Sequence, residues 1–411
     1  MKIRRWTSIA ASAVLASLIT WSSLSSATEM PMSSPPPLPM PDEKLTLAQA
    51  PVLIPQAPTL EDAKGYVLMD ASNGQVIAEK NMSQRMDPAS LTKMMTLYLT
   101  FQALKSGQIH LSDKVLVSKE AWKMDGSRMF IQAGTEVEVG DLIQGVIVAS
   151  GNDACVALAE HIAGTEETFA NLMNQTAQRL GMKDTHYQDS TGLPNPGHYA
   201  TPYDLALLAR ALVLQFPEYY PYFSQQWFTY NHIKQPNRNR LLWRDKSVDG
   251  IKTGHTDDAG YCLISSAKRG NMRLITVVMG TPSDAARADD SQALLTYGFR
   301  FYENHLLFKA GAVIAEPRVW MGREKTVKLG VNSDFYITSA THQYNQLQAK
   351  MKIQPKLRAP IVKNQSYGKI SVTLEGKTIA TVPLVALEDN KEGNWFSRLI
   401  DFLMLLFHRS G

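Results

Sequence analysis

Residues 87 to 93 read Asp87-Pro88-Ala89-Ser90-Leu91-Thr92-Lys93 and open a long apolar run. The proline stands where the start of a helix tolerates it, and the run ends at Gly107, so we predict a helix from Ser90 to Leu104. Residues three apart share one face of a helix, which brings Lys93 beside Ser90. A serine hydroxyl next to a basic amine is an arrangement for nucleophilic catalysis.

The Ser-x-x-Lys spacing also occurs from Ser265 to Lys268 and from Ser366 to Lys369. Both of these lie in predicted strands or turns, where residues three apart point to opposite faces. The N–H groups at the start of a helix favour negative charge on a substrate oxygen and disfavour a protonated lysine. We therefore expect Ser90 to be the reactive serine and Lys93 to serve as a neutral base.

Two further polar motifs adjoin buried segments. Ser150-Gly151-Asn152 follows the apolar run from Leu142 to Ala149, where it either projects into a cleft or simply caps a helix. Lys252-Thr253-Gly254 precedes a strand region, and a glycine on an edge strand lets a substrate backbone approach, although a solvated loop explains such a triplet equally well. Neither motif is specific alone, but all three in this order rarely arise by chance.

The rest of the chain alternates between strand and helix patterns. We predict strands at Tyr66–Asp70, Gln75–Glu79, Tyr261–Ala267 and Met272–Gly280, and helices over Leu142–Ile162, Thr168–Leu180, Tyr203–Leu214 and Ala285–Tyr302. Strands, then helices, then strands with a closing helix indicate an α/β (α+β) fold with an antiparallel sheet and a helical lobe. This domain is expected to span residues 59–315.

The two ends of the chain are expected to serve export and attachment. Residues 1–27 have a positively charged start, a short apolar stretch and a cleavage site of small residues, so they predict a signal peptide. The alternative, an uncleaved transmembrane anchor, needs ~20 apolar residues, and this stretch is shorter. A Pro-rich linker, 28–58, follows. Residues 316–390 predict a small all-β domain. Residues 394–411 predict an amphipathic helix that is too short to span a bilayer. This helix would contact the inner-membrane surface through Trp395, Phe396, Leu399, Phe402, Leu403 and Leu406.

Composition excludes several other classes of protein. The net charge of +4 is small for 411 residues, and Lys and Arg are spread along the chain, so nucleic-acid binding has no support. The two cysteines, Cys155 and Cys262, lie in apolar stretches and predict buried thiols, not a disulfide framework or a metal site. No cluster of His, Cys and Asp has ligand spacing, and no cofactor or metal is predicted.

Together the motifs resemble the penicillin-binding protein and serine β-lactamase superfamily. The likeness extends along Asp87–Lys93, Ala149–Ala154 and Asp249–Thr256, and through the C-terminal β domain and terminal helix. It is greatest to the low-molecular-mass penicillin-binding proteins that are serine D-alanyl-D-alanine carboxypeptidases with a C-terminal anchor. The resemblance implies removal of the last D-alanine from peptidoglycan pentapeptides through a Ser90 acyl-enzyme, covalent inhibition by β-lactams, and a role in cell-wall biogenesis and shape at the periplasmic face of the inner membrane.

The resemblance also implies a role for each matching residue. Ser90 would be the nucleophile, Lys93 its proton acceptor, Ser150 a relay to the leaving amine, and Asn152 a guide for the substrate amide. The terminal carboxylate would be held by Lys252, Thr253 and Arg238 beside Gly254, and the oxyanion by the N–H groups of Ser90 and His255. Some relatives carry a histidine where this chain has Thr191, so the resemblance does not define what that loop does in deacylation.

Two other functions compete with this interpretation. A class A β-lactamase needs a glutamate after the Ser-x-Asn motif to activate the deacylating water, and no glutamate occurs between Glu167 and Glu218. A non-catalytic cell-wall scaffold would not need Ser90, Lys93 and Lys252, which are all present. Labelled penicillin separates the three, because a carboxypeptidase forms a stable adduct, a β-lactamase turns the drug over, and a scaffold does neither.

Overall fold

The computed structural model describes residues 55–407, and the predicted signal peptide and nearly all of the predicted linker lie outside this range. Up to Phe301 the strands are Gly65–Asp70 (β1), Val76–Lys80 (β2), Lys114–Leu116 (β3), Glu136–Glu138 (β4), Trp227–Tyr230 (β5), Ile233–Pro236 (β6), Val248–Thr256 (β7), Gly260–Arg269 (β8) and Met272–Thr281 (β9). The α-helices are Lys93–Ser106 (α1), Lys119–Lys123 (α2), Val139–Gln144 (α3), Asn152–Ala163 (α4), Glu166–Arg179 (α5), Pro202–Gln215 (α6), Leu241–Arg244 (α7) and Asp284–Phe301 (α8).

The central sheet has the order β2-β1-β9-β8-β7, and every neighbouring pair is antiparallel. One face packs against α8 through Leu68, Leu274 and Leu294, and the other packs against the helical lobe. Side chains alternate between the two faces of a strand, so each strand contributes to both cores. The predicted α/β fold with an antiparallel sheet is confirmed, and β7, which carries Lys252-Thr253-Gly254, is an edge strand.

Helix α1 is buried almost along its whole length, and Gly107 ends it in a left-handed conformation with φ 75°. Its start differs from the prediction. Ala89–Thr92 forms a 3₁₀ turn and the α-helix begins at Lys93, so Ser90 lies in the tighter turn before the helix. Such 3₁₀ turns are common at helix termini, and residues three apart eclipse one another in them, which aligns Ser90 with Lys93.

The predicted helix from Leu142 to Ile162 is interrupted in its middle. A π-helical stretch, Gly145–Ala149, ends at Ser150, whose φ of 56° is left-handed, and α4 begins at Asn152. The Ser-Gly-Asn triplet therefore lies at a junction between two buried helical stretches. The sequence predicted the polar triplet after the buried run, but not the break in the helix.

From Tyr302 onwards the chain is mostly β. The strands are Tyr302–Phe308 (β10), Val313–Ala315 (β11), Val319–Trp320 (β12), Leu329–Gly330 (β13), Phe335–Ala340 (β14), Gln348–Ile353 (β15), Leu357–Arg358 (β16), Ser366–Leu374 (β17) and Lys377–Ala386 (β18). A five-stranded sheet, β11-β13-β18-β17-β15, covers a third core, and β10 pairs with β14. Helix α9, Trp395–Phe407, follows.

Strand β10 lies in the segment predicted for the first domain, although its partner β14 lies in the segment predicted for the second. Within residues 55–407 no helix combines the length and the apolar character needed to cross a bilayer. Both cysteines are free and buried, as predicted.

Candidate active site

The three motifs meet at one cavity of about 390 Å³ beside the edge strand β7. Its walls come from the turn before α1, the segment before α4, the segment after β6, strand β7 and helix α8. The lining residues are Ser90, Ser127, Ser150, Pro236, Asn237, Arg238, Arg240, Thr253, Gly254, His255, Tyr261, Asp284 and Arg287. Residues more than 160 positions apart in the sequence thus share one site.

Ser90 and Lys93 are in direct contact. The Lys93 amine lies 2.9 Å from Ser90 Oγ and donates to the Thr191 carbonyl at 2.6 Å. The lysine is fully buried, and burial lowers its pKa, although the nearby Cys155 and Asp189 favour its charged form. A lysine with a lowered pKa keeps more of its amine neutral and able to accept the serine proton.

Ser150 and Lys252 form a second buried pair. The Lys252 amine donates to Ser150 Oγ and to its neighbour's carbonyl, Thr253 O, at 3.0 Å each. Burial, followed by the positive charge of Lys93, lowers the pKa of Lys252 well below its usual value. Lys252 is 2% exposed, and its contact with a substrate carboxylate stays a prediction. Its neighbours Thr253, Gly254 and His255 form the cavity wall.

Asn152 and Asp153 fix the segment that covers one side of the cavity. Asn152 donates from its side-chain amide to the Asp125 carbonyl at 2.6 Å, and from its backbone to the Ser127 carbonyl at 2.7 Å. The Asp153 carboxylate accepts from the N–H groups of Met129, Phe130 and Ile131. The sequence analysis missed this role of Asp153, because a carboxylate in the first turn of a helix is equally typical of simple capping.

Arginines line the opposite side of the cavity. Arg238 donates to Ser127 Oγ at 2.7 Å and so bridges the two walls. Arg287 donates to the Gly254 carbonyl at 3.0 Å and pairs with Asp284, which also pairs with Arg240. Sequence analysis identified Arg238 but missed Arg240, Asp284 and Arg287, because no local pattern links α8 to the edge strand.

The site's chemistry is that of acyl transfer by a serine. Among the described residues, no group of three or more His, Cys, Asp or Glu side chains is placed to hold a metal ion. The arrangement offers a nucleophile, two adjacent amines and a cationic wall next to an open strand edge, which suits a substrate that carries a carboxylate.

A family model described as D-alanyl-D-alanine carboxypeptidase matches residues 52–283. The chain belongs to the D-alanyl-D-alanine carboxypeptidase family. A second model, described as the C-terminal domain of penicillin-binding protein 5, matches residues 302–392 of the carboxypeptidase. The resemblance in the motifs is confirmed, and the enzyme is a carboxypeptidase of the penicillin-binding protein type. Its family acts on D-Ala-D-Ala in peptidoglycan and binds β-lactams.

Individual relatives agree with the family match. D-alanyl-D-alanine carboxypeptidase DacC of Escherichia coli is 45% identical over 362 residues, 86% of this chain and 90% of the relative. DacF of Bacillus subtilis is 37% identical over 344 residues, 82% of this chain and 88% of the relative.

Solved structures show the same fold. Penicillin-binding protein 5 from Haemophilus influenzae has a TM-score of 0.78 and 43% identity, covering 82% of this chain and 99% of that one. Penicillin-binding protein D2 from Listeria monocytogenes, in its ampicillin-bound form, has a TM-score of 0.55 and 30% identity, covering 59% of this chain and 100% of that one.

Gly192 lets the loop after α5 press on the turn that carries Ser90. A Cβ at Gly192 would lie 1.8 Å from the Ala89 carbonyl oxygen, and its φ is +80°. We predict that Gly192→Ala slows acylation by fluorescent penicillin by at least about tenfold, because the turn must move. Gly181→Ala is the matched control, since Gly181 has φ +81° and nothing within 4 Å of its Cβ.

Both variants share the left-handed strain, which costs about 1–2 kcal/mol. The contact with the turn should therefore appear as the difference between them, in the acylation rate and in the melting temperature. Equal losses in the two variants would contradict the prediction.

Proposed function

We propose that this carboxypeptidase cleaves the terminal D-Ala-D-Ala bond of peptidoglycan pentapeptides with Ser90 as nucleophile and Lys93 as base. The proposal rests mainly on the 2.9 Å contact between Lys93 Nζ and Ser90 Oγ. Lys93 accepts the serine proton while Oγ attacks the carbonyl carbon of the penultimate D-alanine. The N–H groups of Ser90 and His255 stabilise the oxyanion of the tetrahedral intermediate.

The intermediate collapses when the C–N bond of the peptide breaks. Ser150 gives its hydroxyl proton to the departing nitrogen and takes in its place the proton that Lys93 removed from Ser90, and Lys252, which donates to Ser150 Oγ, supports this transfer. Asn152 orients the substrate amide. D-alanine leaves as a neutral amine, and the shortened peptide stays on Ser90 as an ester. Water then hydrolyses the ester, which restores the serine hydroxyl and releases the peptide with a new carboxylate.

Recognition of the terminal carboxylate is assigned to Arg238 and Thr253, which line the cavity. Lys252, which the sequence predicts as a carboxylate ligand, supports this recognition through its bonds to Ser150 Oγ and the Thr253 carbonyl. Gly254 lets β7 lie close to the turn that carries Ser90, since a Cβ there would lie 3.0 Å from the Pro88 carbonyl oxygen. The carboxylate of a β-lactam would occupy the same place, and the ring would acylate Ser90.

We infer that the enzyme is exported by residues 1–27 and held peripherally on the periplasmic face of the inner membrane by the segment 394–411. In α9 the apolar residues Trp395, Phe396, Leu399, Phe402 and Leu403 are exposed. They lie within roughly 120° of the helix circumference, given 3.6 residues per turn. Leu406, which the sequence analysis grouped with them, belongs to the same helix. Such a face suits the interface of a bilayer.

The opposite side of α9 is attached to the β domain. Asp401 accepts from Arg318 at 2.9 Å and from the N–H of Met321 at 2.7 Å. Arg398 pairs with Glu392 at 2.6 Å. These contacts support an organisation in which an anchor helix follows the β domain and turns its apolar face away from the protein.

We predict that Ser90→Ala abolishes the penicillin adduct and lowers kcat/KM for a D-Ala-D-Ala pentapeptide by at least about a thousandfold, because the nucleophile is lost. Lys93→Ala should be nearly as severe. Ser366→Ala is the control, since Ser366 and Lys369 have the same spacing and are both exposed on β17. Mass spectrometry of the peptide and the protein measures both effects. An adduct that persists in Ser90→Ala, or rapid turnover of penicillin, would refute the assignment.

Arg238→Ala should lower the preference for a free-acid over a C-terminally amidated pentapeptide about ten- to hundredfold, since a charge-assisted hydrogen bond is lost. Lys252→Ala should slow both peptides, because Ser150 loses its partner. Arg244→Ala is the control, since Arg244 pairs with Asp289 away from the cavity. The values of kcat/KM for both peptides test this. An unchanged ratio in Arg238→Ala would show that this arginine is not the carboxylate anchor.

Deletion of residues 394–411 should release the mature enzyme from vesicles of anionic and zwitterionic lipids while leaving kcat/KM for a soluble peptide unchanged. The deleted segment holds the exposed apolar face and contributes no residue to the cavity. Met351→Asp, on exposed β15, is a control that should stay bound. Cosedimentation measures binding, and full retention of the truncated enzyme would contradict the anchor.

A further inference from the structure

A short loop, Asp189 to Gly192, packs against the turn that carries Ser90. One oxygen of the Asp189 carboxylate accepts from the Thr191 N–H at 2.8 Å, from Thr191 Oγ1 at 2.8 Å and from the Gly192 N–H at 2.7 Å. These bonds fix the peptide group after Thr191, whose carbonyl accepts from Lys93. The aspartate therefore controls where that carbonyl lies, without touching the lysine itself.

His198 connects this carboxylate to the catalytic turn. It is 4% exposed, with Nδ1 3.3 Å from the second oxygen of Asp189 and Nε2 2.9 Å from Thr92 Oγ1. The Gln188 backbone N–H is also directed at Nδ1, with a nitrogen–nitrogen distance of 3.3 Å. A carboxylate can only accept, and a hydrogen bond to a charged acceptor is the stronger of the two, so we assign the Nδ1 proton to Asp189, and Nε2 then accepts from Thr92. Thr92 directly precedes Lys93.

The orientation of the Lys93 amine matters for its work as a base. A neutral amine has two N–H bonds and one lone pair, and it accepts the Ser90 proton only when the lone pair faces Oγ. An acceptor fixed at 2.6 Å engages one N–H bond and restricts rotation about the Cε–Nζ bond. An amine without this acceptor would rotate among several orientations, of which few are productive.

We propose that Asp189 and His198 are positioning residues, which hold the Thr191 carbonyl on Lys93 and so aim the lysine amine at Ser90. The proposal rests on the assignment of Lys93 as the base. It gives the loop that carries Thr191 a defined part in both acylation and deacylation, since the same base is available to both steps. Neither residue is among those that line the cavity.

The charges around Lys93 set the expected pH dependence. Cys155, Asp189 and Asp153 favour its charged form, while burial and Arg238 disfavour it. Lys93 in turn lowers the pKa of the second buried amine, Lys252. Burial alone would raise the pKa of Asp189, but hydrogen bonds from His198, Gly192 and Thr191 outweigh burial and lower it to about 2. Asp189 is therefore a carboxylate throughout the working range. Removing its charge lowers the pKa of Lys93, so the acidic limb of the rate profile moves to lower pH.

The first experiment compares wild type with Asp189→Asn in the full-length enzyme, using fluorescent penicillin to count active sites and to measure acylation and deacylation. We expect both rate constants per active site to fall about ten- to hundredfold, as for a small misplacement of a catalytic group. The acidic limb of the acylation profile should move to lower pH. Asp204→Asn is the matched control, because Asp204 holds the other end of the same loop through Asp184 and Thr185.

Two substitutions of His198 separate its contacts. An asparagine amide reaches the place of Nδ1 and a glutamine amide that of Nε2, so His198→Asn should retain more activity than His198→Gln if the bond to Asp189 is the one that matters. Neither removes the charge of Asp189, so the acidic limb should stay in place in both. Rates per titrated active site are used, which removes any loss of folded enzyme from the comparison.

The proposal is overturned if Asp189→Asn keeps the wild-type rates per active site. It is also overturned if the acidic limb of the acylation profile of Asp189→Asn stays at the wild-type pH while Asp204→Asn loses as much activity. Lys93→Ala, measured alongside, distinguishes failure of this proposal from failure of the assigned base. High residual activity in Lys93→Ala would reject the base itself. A severe loss there, with wild-type behaviour in Asp189→Asn, would reject only the positioning role.

Discussion

The burial of Lys93 beside Ser90 is the constraint on which the rest of the site depends. A fully buried amine is costly to charge, so its pKa falls, and that change makes it a base for a hydroxyl 2.9 Å away. The helical lobe supplies the apolar surroundings through Met94, Leu97 and their neighbours. Without that core the lysine would be hydrated and protonated, and the serine would be an ordinary alcohol.

Two residues in left-handed backbone conformations help to position the hydroxyl groups of the site. Ala89, just before the nucleophile, has φ 47°, and Ser150 has φ 56°, both in the left-handed region that L-residues avoid at a cost of about 1–2 kcal/mol each. Each is held by neighbouring structure, the first by the close packing of Gly192 and the second by the junction between two buried helical stretches. Ala89 directly precedes Ser90, and Ser150 itself carries the second hydroxyl of the site.

Sequence reasoning succeeded where the signal was local. The contact between Ser90 and Lys93 follows from helical spacing, and the edge position of β7 fits its glycine. It failed where contacts join distant segments. Nothing near Asp189, His198 or Arg287 marks them as neighbours of the site, because their partners lie far away in the chain. The bounds of short strands such as Leu329–Gly330 could not be predicted, since short strands in an irregular domain depend on their neighbours.

Two lysines buried in one site both bind their protons more weakly than exposed lysines do. Lys93 and Lys252 each lose affinity for a proton through burial, and Lys93 lowers the pKa of Lys252 further. A ligand that brings a carboxylate to the wall formed by Thr253 and Arg238 favours the charged form of both amines and so raises their pKa values. Binding is therefore coupled to proton uptake from the solvent. The heat released when such a ligand binds must depend on the ionisation enthalpy of the buffer, and its affinity must weaken as the solution becomes alkaline.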